Sequence, residues 1–179
     1  MEGGLQKPTR FSIDWKNKDY LNEELFEKEL RRVSDHCHGC RRCVSLCNSF
    51  PTLFDLIDES ETFEVDGVAY DQFNKVIDHC YLCDLCYMTK CPYVPPHEWA
   101  IDFPHLMLRG KAIKYNKSKT SIRDKILTST DILGKLGSHK IIAPIINYFN
   151  EIKVFRIILE KILNVHRNAK LPKFSSYTA

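Results

Sequence analysis

All eight cysteines of this 179-residue chain fall into two short runs, and no other feature constrains the fold as strongly. The first run is Cys37-His-Gly-Cys40-Arg-Arg-Cys43-Val-Ser-Leu-Cys47. The second is Cys80-Tyr-Leu-Cys83-Asp-Leu-Cys86-Tyr-Met-Thr-Lys-Cys91-Pro92. None is scattered elsewhere as a small core side chain would be, so both runs read as ligands of an inorganic group.

Three thiolates at i, i+3 and i+6 can fold over successive corners of an iron-sulfur cube, while a fourth just beyond is carried outward by the chain. In the bacterial ferredoxin run that fourth cysteine ligates the other cluster, and a Cys-Pro ends the run. The pattern assigns Cys37, Cys40, Cys43 and Cys91 to one 4Fe-4S cluster, and Cys80, Cys83, Cys86 and Cys47 to a second. The first run departs at Cys47-Asn48, with its proline deferred to Pro51, and the second places four residues before Cys91 instead of three. Both departures affect only the fourth ligand's geometry. Zinc usually draws its four thiolates from two separated C-x-x-C pairs, so a third cysteine three residues on is surplus to it; a zinc-stabilised interaction module is the alternative reading. Disulfides require an oxidising compartment, and Met1 to Pro8 contain no apolar stretch of the kind that directs export.

With 44% hydrophobic and 11% aromatic residues the chain should fold. Its formal charge is +3, and the lysines are spread along it, so charge gives no support to a nucleic-acid role. No run approaches the roughly 18 apolar residues of a spanning helix. The nearest, Ile141 to Phe149, is short and contains Pro144. A cytoplasmic home is expected, with peripheral contact on the cytoplasmic membrane face left open.

Taken in order, residues 1–20 read as a loose, flexible arm. From Asn22 to Asp35 the residues Phe26, Leu30 and Val33 recur at i, i+4 and i+7, which predicts a helix feeding the first cysteine run. Ser49 reads as an N-cap for a helix with Phe50, Leu53, Phe54 and Ile57 on one face. Thr62 to Val68 predicts a small hairpin or turn. Asp71 caps a helix bearing Phe73, Val76, Ile77 and Cys80, which feeds the second run. Pro92-Tyr-Val-Pro-Pro96 reads as a stiff strut. Trp99, Phe103 and Leu106 give a helical face interrupted by Pro104, with Gly110 as C-cap. Thr120 or Ser121 with Asp124 resembles a capping box for a helix through Ile122, Ile126 and Leu133. Helices at about Lys140 to Asn150 and Glu151 to Val165 follow, the latter with Val154, Ile158 and Ile162 on one side. Such stripes are expected to pack on the protein itself, with a partner surface or membrane interface as the alternative.

Every cysteine run is thus flanked by a 3.6-residue period and not by alternating strands. The fold expected is all-α (mainly α), an α-helical ferredoxin with a C-terminal helical extension: an arm over 1–20, a two-cluster domain over 21–117, and a helical extension with a linker-like tail over 118–179.

Cys80 to Lys111 contains Cys-Pro-Tyr-Val-Pro-Pro-His-Glu-Trp and Asp102-Phe-Pro-His-Leu-Met-Leu-Arg-Gly-Lys. This stretch resembles the ferredoxin-type iron-sulfur subunits of the heterodisulfide reductase and anaerobic glycerol-3-phosphate dehydrogenase group. The iron-sulfur subunit of glycolate oxidase belongs to the same wider set. The resemblance runs from about Asp35 to Phe174. It implies a non-catalytic electron-transfer subunit of an oxidoreductase, passing electrons from a flavin dehydrogenase or reductase partner toward quinone or another acceptor. In that group the ferredoxin domain is commonly followed by domains with a Cys-Cys-Gly signature, and this chain has no adjacent cysteines. A stand-alone carrier or a non-functional N-terminal remnant of a split gene are the readings that follow.

Arg41, Arg42 and Lys90 lie among the ligands, where cations would favour the reduced, more anionic cluster; solvated surface charge is the plainer role. His36, His38 and His79 invite a Rieske assignment, but each run already holds four cysteines, so hydrogen bonding beside the site is the role expected. His97 and Glu98 have no nucleophile or oxyanion site nearby, and packing against the proline strut is expected of them.

Overall fold

The computed structural model describes residues 7–117 and 120–175 and contains helices and turns, with no strand among the described residues. The molecule is mainly α. It divides into two compact units, residues 1–118 and 119–179.

In the first unit four helices surround one apolar core: α1 (Glu23–Cys40), α2 (Ser49–Asp58), α3 (Phe73–His79) and α4 (Phe103–Asn116). Asn22 caps α1 by accepting from the Leu25 N–H at 3.1 Å, and Glu23 and Glu24 occupy the favourable first turn. Phe26, Leu30 and Val33 are buried, as their spacing predicts, but α1 does not end near Asp35. It continues through Cys37 and Cys40, and stops where Arg41 turns into the left-handed region at φ 51°. The first two cysteines therefore ride on a helix whose other end is locked in the core.

Ser49 is not a cap. It is the first residue of α2, fully buried, and its hydroxyl donates to the Val76 carbonyl at 2.8 Å, tying α2 to α3. Phe50, Leu53, Phe54 and Ile57 face the core alongside Phe73, Val76 and Ile77 of α3, and Phe50 stacks on Phe103 of α4 at 4.6 Å. The stretch read as a hairpin or turn makes a single 3₁₀ turn, Val65–Gly67, and Arg31 donates to the carbonyls of Val65 and Val68 at 2.8 and 3.1 Å.

Pro104 does not interrupt a helix; it stands in the first turn of α4, where its missing N–H costs nothing, and Asp102 is the cap, accepting from the His105 N–H at 3.1 Å. Gly110 is not a C-cap but lies inside α4. A Cβ there would meet Phe26 Cζ at 2.8 Å and Ile77 Cδ1 at 2.9 Å, so the glycine lets α4 close on both α1 and α3.

The polar stretch before α1 is tied down from Thr9 onward. The Thr9 N–H donates to the Pro95 carbonyl at 2.9 Å, and the Tyr87 hydroxyl donates to the Thr9 carbonyl at 3.0 Å. Arg10 pairs with both Asp84 and Asp102 at 2.8 Å and lies over the Tyr87 ring. Residues 1–6 lie outside the described residues.

Among the described residues the second unit has four helices: α5 (Ile122–Leu127), α6 (Thr130–Gly137), α7 (Ile142–Glu151) and α8 (Lys153–Leu163). Ser121 caps α5 by accepting from the Asp124 N–H at 3.0 Å. The helix expected to run on to Leu133 is split, because the Thr128 hydroxyl donates to the Asp124 carbonyl at 2.6 Å and the Ser129 hydroxyl to that of Lys125. Among the described residues of this unit only Gly137, Ala143 and Arg156 are buried. The stripes expected to pack inward do not. Val154, Ile158 and Ile162 of α8 are exposed, as are Ile122 with Ile126 and Ile132 with Leu136. Polar clips hold the unit instead: Arg156 donates to the carbonyls of His166, Arg167 and Ala169, and the Asn147 amide exchanges two hydrogen bonds with the Phe174 backbone at 2.9 Å.

Candidate metal centre

Seven of the eight cysteines belong to or pack against the first unit's core, Cys83 being exposed, and all eight are free thiols. Cys37 and Cys40 come from the last turn of α1, Cys43 and Cys47 from the turn that follows, and Cys80 caps the C-terminus of α3. Cys86 opens a π-helical turn, Cys86–Lys90, and Cys91 follows it. The extra residue before Cys91 is taken up in that turn, whose closing bond runs from the Cys91 N–H to the Cys86 carbonyl at 2.8 Å. Leu82 and Asp84, on either side of Cys83, both have positive φ, as does Arg41 between Cys40 and Cys43. Side chains other than glycine at such angles are sparsely populated and persist where surrounding structure fixes them. At Asp84 the fixing group is visible, since Arg10 holds its carboxylate through two hydrogen bonds of 2.8 and 3.0 Å.

Cys37, Cys40, Cys43 and Cys91 line one pocket, walled by Phe50, Phe54, Tyr93 and Ile101. Cys91 thus reaches across from the other run, separated in sequence by a whole helical hairpin. A small neighbouring space brings Cys86 up to Cys37, Cys43 and Cys91. On the other side Cys47 acts electrostatically on Cys80 and on Cys86, and Cys83 on Cys80. Cys83 is the exposed member of the set, with Tyr81, Leu85 and Met88 exposed on the same run. Among the described residues no three His, Cys, Asp or Glu side chains are grouped so as to hold one metal ion.

The protein alone disfavours thiolates here. Burial, and then the charges of Cys91, Cys43 and Cys40, push the Cys37 thiol well above its ordinary range. The Cys43 thiol is pushed up to about 12 by burial and then by Cys91. Cys80, Cys86 and Cys91 are raised as well, burial coming first in each. Backbone N–H groups oppose this in part: those of Leu82, Tyr87 and Tyr93 donate to Cys80, Cys86 and Cys91. Collecting this many sulfurs in one dry place is stable as thiolates only when a cationic group neutralises them.

Of the three cations singled out in sequence, two face the sulfurs. Lys90 lowers the Cys43 pKa and Arg42 that of Cys91. Arg41 also lines the first pocket, but its guanidinium pairs with Asp58 at 2.5 Å, over the Phe54 ring. Lys111, one turn into α4 from Met107, acts on Cys80 and carries no signal in the local sequence. His36 lines the first pocket while stacking on Trp99 at 4.2 Å; His38 pairs with Asp58 at 3.2 Å, and His79 bonds the Thr52 hydroxyl at 2.8 Å. His97 packs edge-on against Tyr93 and Trp99, and its Nδ1 accepts from the Trp99 N–H at 3.1 Å. Tyr93 is the residue that pattern reading missed. Buried beside the first pocket, it donates its hydroxyl to Cys40.

The chain has a distant curated relative. Citrate utilization protein B from Escherichia coli is 31% identical to it over 89 residues, which is 50% of this chain and 21% of that protein. The chain therefore spans about a fifth of that relative's length. This likeness to a citrate utilization protein does not itself support the heterodisulfide reductase group drawn from Cys80 to Lys111. No family profile matches the chain, and no solved structure matches it.

Proposed function

We propose that this chain is an electron carrier that holds two 4Fe-4S clusters, one on Cys37, Cys40, Cys43 and Cys91 and the other on Cys80, Cys83, Cys86 and Cys47. The observation that carries the reading is the first pocket, in which the three closely spaced cysteines of one run meet Cys91 from the other. Spacing alone predicts that partner. In a cube each thiolate meets its own iron, so the four sulfurs stand further apart than donors sharing a single ion do.

When bound, such clusters supply reversible one-electron transfer. The chain's own residues do the rest. The walls of Phe50, Phe54 and Ile101 keep water from the first site, the N–H groups of Leu82, Tyr87 and Tyr93 and the Tyr93 hydroxyl favour charge on sulfur, and Arg42, Lys90 and Lys111 offset it. The exposed Cys83, with Tyr81, Leu85 and Met88 around it, is the side on which a redox partner docks, and a flavin dehydrogenase or reductase is the donor proposed, with quinone or another acceptor downstream. The working compartment proposed is the cytoplasm.

Iron and acid-labile sulfide in anaerobically purified protein test this. About eight of each per chain is the expected result, from two four-iron sites. A colourless protein carrying zinc overturns it.

A further inference from the structure

We propose that the helices of the second unit form a module that lies on the surface of an anionic lipid bilayer. The proposal is independent of the cysteine chemistry and rests on where this unit puts its aliphatic and basic side chains.

An amphipathic helix in a soluble protein turns its apolar stripe inward. Here the stripes point out. On α8 Val154, Ile158 and Ile162 follow one another at i, i+4 and i+8, with Val154 66% and Ile162 69% exposed. On α7 and its N-cap residue, Ile141, Ile145 and Tyr148 recur at i, i+4 and i+7, and Ile141 is 68% exposed. Two apolar stripes, one aliphatic and one ending on Tyr148, each about two turns long, exceed the scattered apolar exposure that an ordinary surface carries.

Charge says what covers them. Residues 119–179 hold eleven Lys and Arg against four Asp and Glu, a net +7, whereas residues 1–118 hold fifteen against nineteen, a net −4. The chain's small overall charge hides this division. Lys135, Lys140, Lys153 and Lys161 are exposed and make no ion pair among the described residues, while three of the unit's four acids, Asp124, Glu151 and Glu160, are already paired with Arg123, Lys173 and Arg167, leaving only the exposed Asp131 to offset them. Basic side chains beside exposed aliphatic stripes match the two layers of an anionic membrane surface, headgroup and acyl boundary. No helix among the described residues is long and apolar enough to cross a membrane, and α5 to α8 run from 6 to 11 residues, so they lie along the surface and do not span it.

Co-sedimentation of the full-length protein with vesicles tests the proposal, using phosphatidylglycerol mixed with phosphatidylcholine against phosphatidylcholine alone. The protein should pellet with the mixed vesicles and bind the neutral ones at least about tenfold more weakly, since each basic residue near an anionic surface adds about 1 kcal/mol. High salt should reverse the binding. Ile145→Asp with Ile158→Asp should weaken partitioning by about tenfold or more, given the apolar area removed from the interface. Helical circular dichroism should be unchanged, because both positions are exposed. Lys135→Glu with Lys161→Glu should lose the preference for anionic vesicles. Protein that stays in the supernatant, or binding that ignores both pairs of substitutions, overturns the proposal. So does a dimer in sedimentation velocity that the Asp pair dissociates, since the stripes would then be covered by a second copy.

Discussion

The two units are both helical, yet they use the same periodicity in opposite senses. In α1 residues at i, i+4 and i+7 are among the most deeply buried in the molecule, while in α8 residues at i, i+4 and i+8 are among the most exposed. The first unit is acidic and closes around an apolar core that ends at the cysteines; the second is basic and held by carbonyl clips from Arg156 and Asn147. A hydrophobic period therefore tells that a helix has two faces. Which face is inside is decided by what surrounds it.

The comparison is broken most easily in the first unit. Phe26→Ala should cost about 3–5 kcal/mol, read from chemical unfolding, because Phe26 lies between α1 and α4 with no room for relaxation around it. Gly110→Val should cost about 1–3 kcal/mol by overpacking against Phe26 and Ile77. A smaller effect concerns acid stability. Arg41 and then His38 hold the Asp58 carboxyl down to about 2 from an ordinary 3.8. A lowered folded-state pKa adds stability above pH 3.8 that is lost as the pH falls through about 2. Asp58→Asn should flatten the dependence of melting temperature on pH across that window. At the other extreme, Ile158→Ala in the second unit should change stability by no more than about 1 kcal/mol, since the side chain stays 45% exposed and leaves no enclosed cavity. A large loss there would erase the contrast between the units.

The helices that feed both cysteine runs were legible because Phe26, Leu30, Val33 and Phe73, Val76, Ile77 repeat at helical spacing over a full turn or more. The end of α1 was not. Its apolar stripe stops at Val33, but the backbone continues to the left-handed Arg41, a stop that a non-glycine residue does not announce. Gly110 looked like a cap because glycine serves both for helix ends and for close helix contacts, and only the positions of Phe26 and Ile77 distinguish the two. Likewise the Arg10 clasp joins residues 74 and 92 positions apart, beyond any local pattern. At the site, spacing anticipated that Cys91 would stand with Cys37, Cys40 and Cys43. Lys111 and Tyr93 depend on how α4 and the proline segment come back over the sulfurs, which no spacing encodes.

Electron paramagnetic resonance of the fully reduced protein tests the central claim most directly, because two clusters sharing crossed ligands sit close enough for their spins to couple. The account predicts a broadened spectrum of two interacting spins, reduced to a single uncoupled signal when Cys91→Ser removes the fourth ligand of the first site. A single isolated spin in the unsubstituted protein, with about four irons per chain, would contradict it.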